Sequence, residues 1–173
     1  MRPFTAFVKK KFGDQKLVGA EVGVQRGDNA LTLVEALQFR TLYLIDIWTD
    51  YVYANKYGEG VSRKNFSNFL PIVKERFGDR HDIKILQTPS IEAAKVAFNN
   101  SFDFVYLDAC HSYEAVRDDI KAWLPIVKVG GVLGGHDYSE EIYPGLFKAV
   151  SEFIVESGYG LRQESLDWWI IKE

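Results

Sequence analysis

The chain has 173 residues, 47% of them hydrophobic and 14% aromatic, enough for one good core and short for two, so a single domain over residues 1–173 is expected. Its net charge is −3, with acids and bases interleaved and no basic block beyond Lys9-Lys10-Lys11, which leaves nucleic-acid binding without an electrostatic footprint. The one cysteine, Cys110, has no internal partner, no apolar run reaches the roughly 18 residues of a membrane span, and residues 1–12 lack a small-residue cleavage site, so the expected setting is cytoplasmic and away from membranes.

Phe4, Phe7, Val8 and Phe12 recur at helical spacing and predict an amphipathic helix packed on the body. Residues 17–24 read as a short apolar strand running into Gly23 and Gly27. Asp28 or Asn29 is placed to cap a helix reaching Leu37. Residues 41–47 form a second buried strand that ends in Asp46. Residues 49–62 show no period and read as a long loop, and residues 63–77 as a helix with Pro71 marking a kink or break. Residues 82–86 and 102–107 are the third and fourth strands, followed by helices over 91–98 and 113–127. A fifth strand starts at 130–133 and runs out at His136-Asp137. A last helix, 146–156, precedes two strands over 159–164 and 168–172. Trp168 and Trp169 alternate across the last of these, so one of the two is expected to pack inward.

Strands alternating with helices predict an α/β fold with a parallel sheet covered on both faces. The final connection is too short for a helical crossover, so the closing pair is antiparallel. In open α/β sheets, ligands gather outside the carboxyl ends of the strands. Residues 21–27, Asp46, Asp108 and His136-Asp137 all fall there, from four separate stretches.

The stretch Glu21-Val22-Gly23-Val24-Gln25-Arg26-Gly27 offers a sharp turn and a helix start, and Asp46 offers a carboxylate able to accept both hydroxyls of a ribose. A nicotinamide fingerprint wants glycine where Gln25 stands. The acid-first E-x-G-x-x-x-G form, Asp46 in "YLIDIW" and the long stretch "FDFVYLDACHSYEAVRDDIKAWLPIVKVGGVLGGHDY" together resemble the class I S-adenosylmethionine-dependent methyltransferases. The long stretch is most similar to the small-molecule branch that includes catechol and macrolide-sugar O-methyltransferases. The resemblance implies a Rossmann-like three-layer sandwich whose seven-stranded, mostly parallel sheet has an antiparallel last strand. It implies that Gly23 and Gly27 line the methionine part of S-adenosylmethionine, that Glu21 shapes the turn, that Asp46 holds the ribose, and that Ser90 and Ile91 border the adenine. An acid often serves beside the adenine in relatives, and Thr88-Pro89-Ser90 matches only in part. Trp48 either covers the ribose or adenine or is a packed aromatic.

Metal-dependent members of the branch bind magnesium through an Asp after the fourth strand and an acid pair after the fifth, which places Asp108 and Asp137 as ligands of a divalent cation, with His136 beside them. Magnesium prefers oxygen ligands, and a histidine in the shell favours manganese or softer metals. The bland alternative is that Asp108 caps the next helix and Asp137 points to water. His111 stands where catechol O-methyltransferase carries its proton-accepting lysine, and with Asp108 it forms the expected catalytic pair. Its unperturbed pKa of about 6.5 suits a general base, and its alternative role is to cap the helix or hold the loop. Cys110 reads as a bystander, His81 as a solvated loop residue and Trp123 as core. The expected activity is methyl transfer to an oxygen of a small-molecule acceptor, whose pocket would be built from the short N-terminal helix and the tyrosine-bearing, acidic loops over 51–60 and 138–145, which suit an aromatic or sugar-like acceptor. The rivals are a metal-free N- or C-methyltransferase, a nicotinamide oxidoreductase and a non-catalytic cofactor-binding module. A homo-oligomer is compatible with the sequence.

Overall fold

Apolar side chains alternate along the central strands, and each set finds its own layer of helices. In the computed structural model, which describes residues 1–54 and 60–173, seven strands form one sheet in the order β5-β2-β1-β6-β7-β9-β8. These are β1 (Lys16–Val22), β2 (Gln38–Asp46), β5 (Ile83–Gln87), β6 (Phe102–Leu107), β7 (Val127–Gly135), β8 (Arg162–Glu164) and β9 (Asp167–Ile171). The pairs β5·β2, β2·β1, β1·β6 and β6·β7 are parallel, while β9 runs antiparallel to both β7 and β8. The expected Rossmann-like sheet with its antiparallel end is therefore present.

Three helices cover each face. Phe4 and Val8 of α1 (Pro3–Phe12), Leu33 of α2 (Asp28–Ala36) and Phe77 of α3 (Phe69–Phe77) pack on Leu42, Phe104, Tyr106 and Trp169. On the other face, Ala93 of α4 (Ser90–Lys95), Ile120 and Trp123 of α5 (Tyr113–Trp123) and Val150 of α6 (Pro144–Ser157) pack on Val22, Val105, Leu133 and Trp168. Both tryptophans of β9 are thus buried, not one, because both sheet faces are roofed even at this strand. Trp123 is core, as read.

Three expectations change. The segment read as a loop carries a two-stranded antiparallel hairpin, β3 (Tyr51–Ala54) with β4 (Gly60–Arg63); residues 55–59 of it lie outside the described residues. The helix expected from residue 63 begins only at Phe69, after a short 3-10 turn over Phe66–Asn68, so Pro71 sits in the first turn, where its missing N–H costs nothing. Neither Asp28 nor Asn29 caps α2: Gly27, in the left-handed region, precedes it, and Asn29 turns back toward β1.

The α1 helix is tied down by a residue from the far end of the chain. Asp167 Oδ2 accepts from the Phe4 N–H at 2.9 Å, satisfying an orphan donor of the first turn, and Asp167 Oδ1 accepts from Tyr106 Oη at 2.8 Å. Asp167 is 1% exposed, so water cannot replace these bonds. Asp167→Ala should lower unfolding free energy by roughly 3 kcal/mol, the scale of losing two buried bonds to a charged group. Urea titration would read this as a lower midpoint with unchanged slope; a loss under about 0.5 kcal/mol, ordinary for an uninvolved surface change, would contradict the account.

Candidate active site

The strand order reverses between β1 and β6, and a cleft of about 660 Å³ opens at the carboxyl ends there. Its wall includes Glu21, Gly23, Asp46, Ser90, Ile91, Asp108, His111, His136 and Asp137. Gly27 and Trp48 are not in that wall. A Cβ on Gly27 would lie 2.7 Å from the Phe77 ring, so this glycine makes room for packing beneath the turn. Trp48 is fully buried and donates its indole N–H to the Gln25 carbonyl at 2.8 Å, which locks the β1 turn from below instead of covering a ligand.

The turn after β1 is held from two sides. Gly23 has φ +92°, and a Cβ there would lie 2.1 Å from the Asp108 carbonyl oxygen, a clash no rotamer relieves. Asp46 Oδ2 accepts from the Gln25 N–H at 2.8 Å and Asp46 Oδ1 from the Trp48 N–H at 3.0 Å. A carboxylate has about four acceptor sites, so two remain for a ligand. Glu21 is 1% exposed; its Oε1 accepts from Asn29 Nδ2 at 3.2 Å, and its Oε2 has no partner among the described residues. Burial pushes its pKa up to about 8, against the hydrogen bond from Asn29.

At the Ser90 end, the Ser90 hydroxyl donates to Asp119 Oδ1 and accepts from the Trp123 indole N–H at 2.9 Å. Asp119 lines the cleft, and burial raises its pKa to about 6 in spite of that bond. An acid therefore does stand beside Ser90, but it comes from α5, one turn before Trp123. Its signal was the second acid of Asp118-Asp119, on the apolar side of an amphipathic helix.

Asp108, His111 and Asp137 each bring a ligand atom within 4.8 Å of the others. His111 Nε2 lies 3.0 Å from Asp137 Oδ2 and 3.7 Å from Asp108 Oδ1, with neither oxygen along the N–H direction, so the contact is an ion pair and not a directed hydrogen bond. Burial disfavours the imidazolium, but the two carboxylates outweigh it and hold His111 up at about 9. The value near neutrality expected of a free base is thereby lost. Asp137 is also partly buried, yet His111 and His136 hold its carboxyl well below the usual range. His136 belongs to the surround, not to the three-residue cluster: its Nδ1 meets Asp137 Oδ1 at 2.9 Å and its Nε2 faces Asp167 Oδ1 at 3.9 Å. Asp108 does not cap α5, and neither does His111; Ser112 Oγ accepts from the Ala115 N–H at 3.3 Å. Tyr143, from the segment before α6, packs against His111 with the rings tilted by 42° and their centroids 4.5 Å apart, whereas Tyr138 is buried away from the cleft.

Arg2 was missed. Its Nη1 donates to Tyr106 Oη at 2.6 Å and to Asp108 Oδ2 at 2.9 Å, and its side chain lines the cleft. Nothing local marks it, because its partners lie 104 and 106 residues away.

This architecture is that of the class I S-adenosylmethionine-dependent methyltransferases. The chain belongs to the methyltransferase-domain family, whose model matches residues 20–138. No curated protein matches it in sequence. Similar solved structures include the O-methyltransferase NovP, 16% identical with TM-score 0.67, covering 98% of this chain and 79% of that one. The calicheamicin methyltransferase CalS11 is 13% identical with TM-score 0.69, covering 97% and 77%. A Streptococcus mutans protein solved in complex with S-adenosylhomocysteine (SAH) is 13% identical with TM-score 0.69, covering 100% and 99%. Among the described residues, no helix is long and apolar enough to cross a membrane.

Glu21 generates a pH prediction. Its folded pKa, about 8, lies above the ordinary 4.5, so between these values the folded protein keeps a proton that the unfolded chain has lost. Stability therefore falls through that window as pH rises. Glu21→Gln removes the effect, and the His111 contribution cancels in the comparison. The variant's stability advantage over wild type should grow from pH 4.5 to pH 8 and then level off. Thermal melts across the range would read this; a constant difference would show that Glu21 is not protonated in the folded state.

Proposed function

We propose that the protein transfers the methyl group of S-adenosylmethionine to an oxygen of a small-molecule acceptor, assisted by a divalent cation. The observation that carries the reading is the Asp108–His111–Asp137 cluster, which shares one cleft with Glu21 and Gly23. The donor chemistry fits a cation: two carboxylates suit magnesium or manganese, and with the imidazole in the shell they suit manganese better, water completing the shell. The pocket chemistry fits the cofactor: Glu21 Oε2 is a buried acceptor lacking a donor, and the cofactor's ammonium supplies one. When bound, the cation would orient the acceptor oxygen and lower its pKa. The similarity to NovP, an O-methyltransferase, supports oxygen as the acceptor atom.

The chain's own groups divide the remaining work. Asp46 keeps acceptor sites for the ribose hydroxyls, and Asp119 offers one for the amino group of the adenine. Asp137 and Tyr143 fix the His111 ring from two sides. The sulfonium already activates the methyl group, so the cleft's task is to align it with the acceptor oxygen. His111 cannot serve the cation and the acceptor proton with the same nitrogen, since Nε2 is the atom that faces both carboxylates. As a ligand it gives up its lone pair; as a base it takes the acceptor's proton at Nε2.

One observation favours a metal-free second reading. Arg2 already faces Asp108 and His111 faces Asp137, so both acids have internal counter-charges. His111 would then act as the base, and its pKa of about 9 requires turnover to climb with pH toward that value.

The two readings are separated by chelation. Under the metal reading, EDTA abolishes turnover on a catechol or sugar-hydroxyl acceptor panel, leaves SAH affinity within roughly threefold, and manganese restores activity. His111→Ala then weakens manganese binding by at least about 10- to 100-fold, the range for losing even an outer-shell partner of a ligand. Full turnover in EDTA with a rate rising toward pH 9 would select the metal-free reading instead. His111→Ala would then cut turnover by roughly 10²–10⁴-fold at unchanged cofactor affinity.

A further inference from the structure

We infer that Arg2 reads the α-carboxylate of the cofactor's amino-acid end, as the partner of Glu21, which takes the ammonium. The inference rests on the S-adenosylmethionine reading and adds to it a specificity-determining residue contributed from outside the strand ends.

Arg2 is carried to the cleft by α1, whose first turn is pinned to Asp167. The guanidinium lies over the Tyr106 ring, 5.6 Å from its centroid, and its side chain is 32% exposed. Only Nη1 is engaged, by Tyr106 Oη and Asp108 Oδ2; among the described residues, Nε and Nη2 make no hydrogen bond. A guanidinium has five N–H donors in a planar fork that matches a carboxylate, so a substantial part of its capacity is unspent. The fork is pre-positioned, because Tyr106 and Asp108 hold its other arm.

Glu21 has the complementary deficit. Its Oε2 is buried, lines the same cleft and accepts nothing. A buried acceptor without a donor costs free energy that a ligand recovers by supplying one. A single small group that satisfies both residues must carry a donor cation and a carboxylate close together. An α-amino acid is that group. The other basic side chains in the wall face elsewhere: His111 and His136 face Asp137, and the Arg26 guanidinium lies over the Phe69 ring at 5.4 Å. Arg2 lies near enough for its charge to act on Glu21: burial and the charge of Asp108 oppose ionisation of Glu21, and the charge of Arg2 favours it.

The test compares ligands that differ only at the amino-acid end: SAH, decarboxylated SAH, and 5′-methylthioadenosine, which lacks the end altogether. Titration calorimetry is run on wild type, Arg2→Met and Arg2→Lys. Arg2→Met should weaken SAH by roughly 10- to 100-fold, the range of a hydrogen bond to a charged group, and leave 5′-methylthioadenosine within about threefold. Arg2→Lys should recover part of the SAH affinity. Wild type should bind decarboxylated SAH more weakly than SAH by a similar factor, and Arg2→Met should no longer tell them apart. The wild-type comparison needs no variant to fold. Equal losses for SAH and 5′-methylthioadenosine, or wild-type binding of decarboxylated SAH as tight as SAH, would overturn the inference while leaving the cofactor reading intact. Wild type binding none of the three would instead remove the cofactor reading, and the inference with it.

Discussion

The ends of β1 and β6 touch at Gly23, and the site is built on that contact. The Asp108 N–H donates to the Val22 carbonyl at 2.8 Å, and the Gly23 N–H donates to the Ile45 carbonyl at 2.8 Å, so three strand ends are sewn together around one residue. Any side chain at position 23 would meet the Asp108 backbone, not a flexible neighbour. With β6 held this close, Asp108 comes within reach of Arg2, and His111 can bridge toward Asp137. The glycine therefore matters less for what it lets a ligand do than for where it lets the next strand end. A positive φ alone would not require this, since Gln25 holds one without being glycine.

Acids placed at the ends of parallel strands are costly unless something answers them, and here each is answered differently. Asp46 is met by two backbone N–H groups, Asp108 by a guanidinium, Asp137 by two imidazoles. Glu21 alone keeps an unanswered oxygen, and it is the acid whose pKa rises furthest toward neutrality within the cleft. Backbone strain gathers at the same turns. Gln25, Trp48 and Asp137 adopt φ of +53°, +41° and +62°, each just past the end of β1, β2 or β7. Left-handed non-glycine residues cost on the order of 1 kcal/mol each and persist where the surroundings over-determine them. Here the surroundings are the hydrogen bonds of Asp46 and the imidazoles around Asp137.

The strands were legible because a buried parallel strand leaves a short apolar run, and Phe102–Leu107 was placed to the residue. The strand ends were legible as a group because sheet topology gathers them whatever their sequence spacing. The hairpin over β3 and β4 was not, since short strands rich in tyrosine and glycine carry no period. The resemblance set His136 with the two acids as ligands and His111 as the base, whereas in space it is His111 that closes the group with Asp108 and Asp137, since the loop after β6 folds back over the end of β7. Arg2 and Asp167 were invisible for a simpler reason. A residue whose meaning lies in a partner more than 100 positions away leaves no local pattern.

The bond between Phe4 and Asp167 spans 163 residues, and it sets a timetable. During synthesis the early strands and helices can collapse as they emerge, but the Phe4 N–H in the first turn of α1 has no acceptor until Asp167 of β9 is made. Long-range pairings of this kind form late, after their loop-closure entropy has been met by other contacts. On the ribosome the nascent chain would carry a nearly complete sheet on which Arg2 can already meet Tyr106 and Asp108, while the Phe4 N–H of α1 still waits for the last strand.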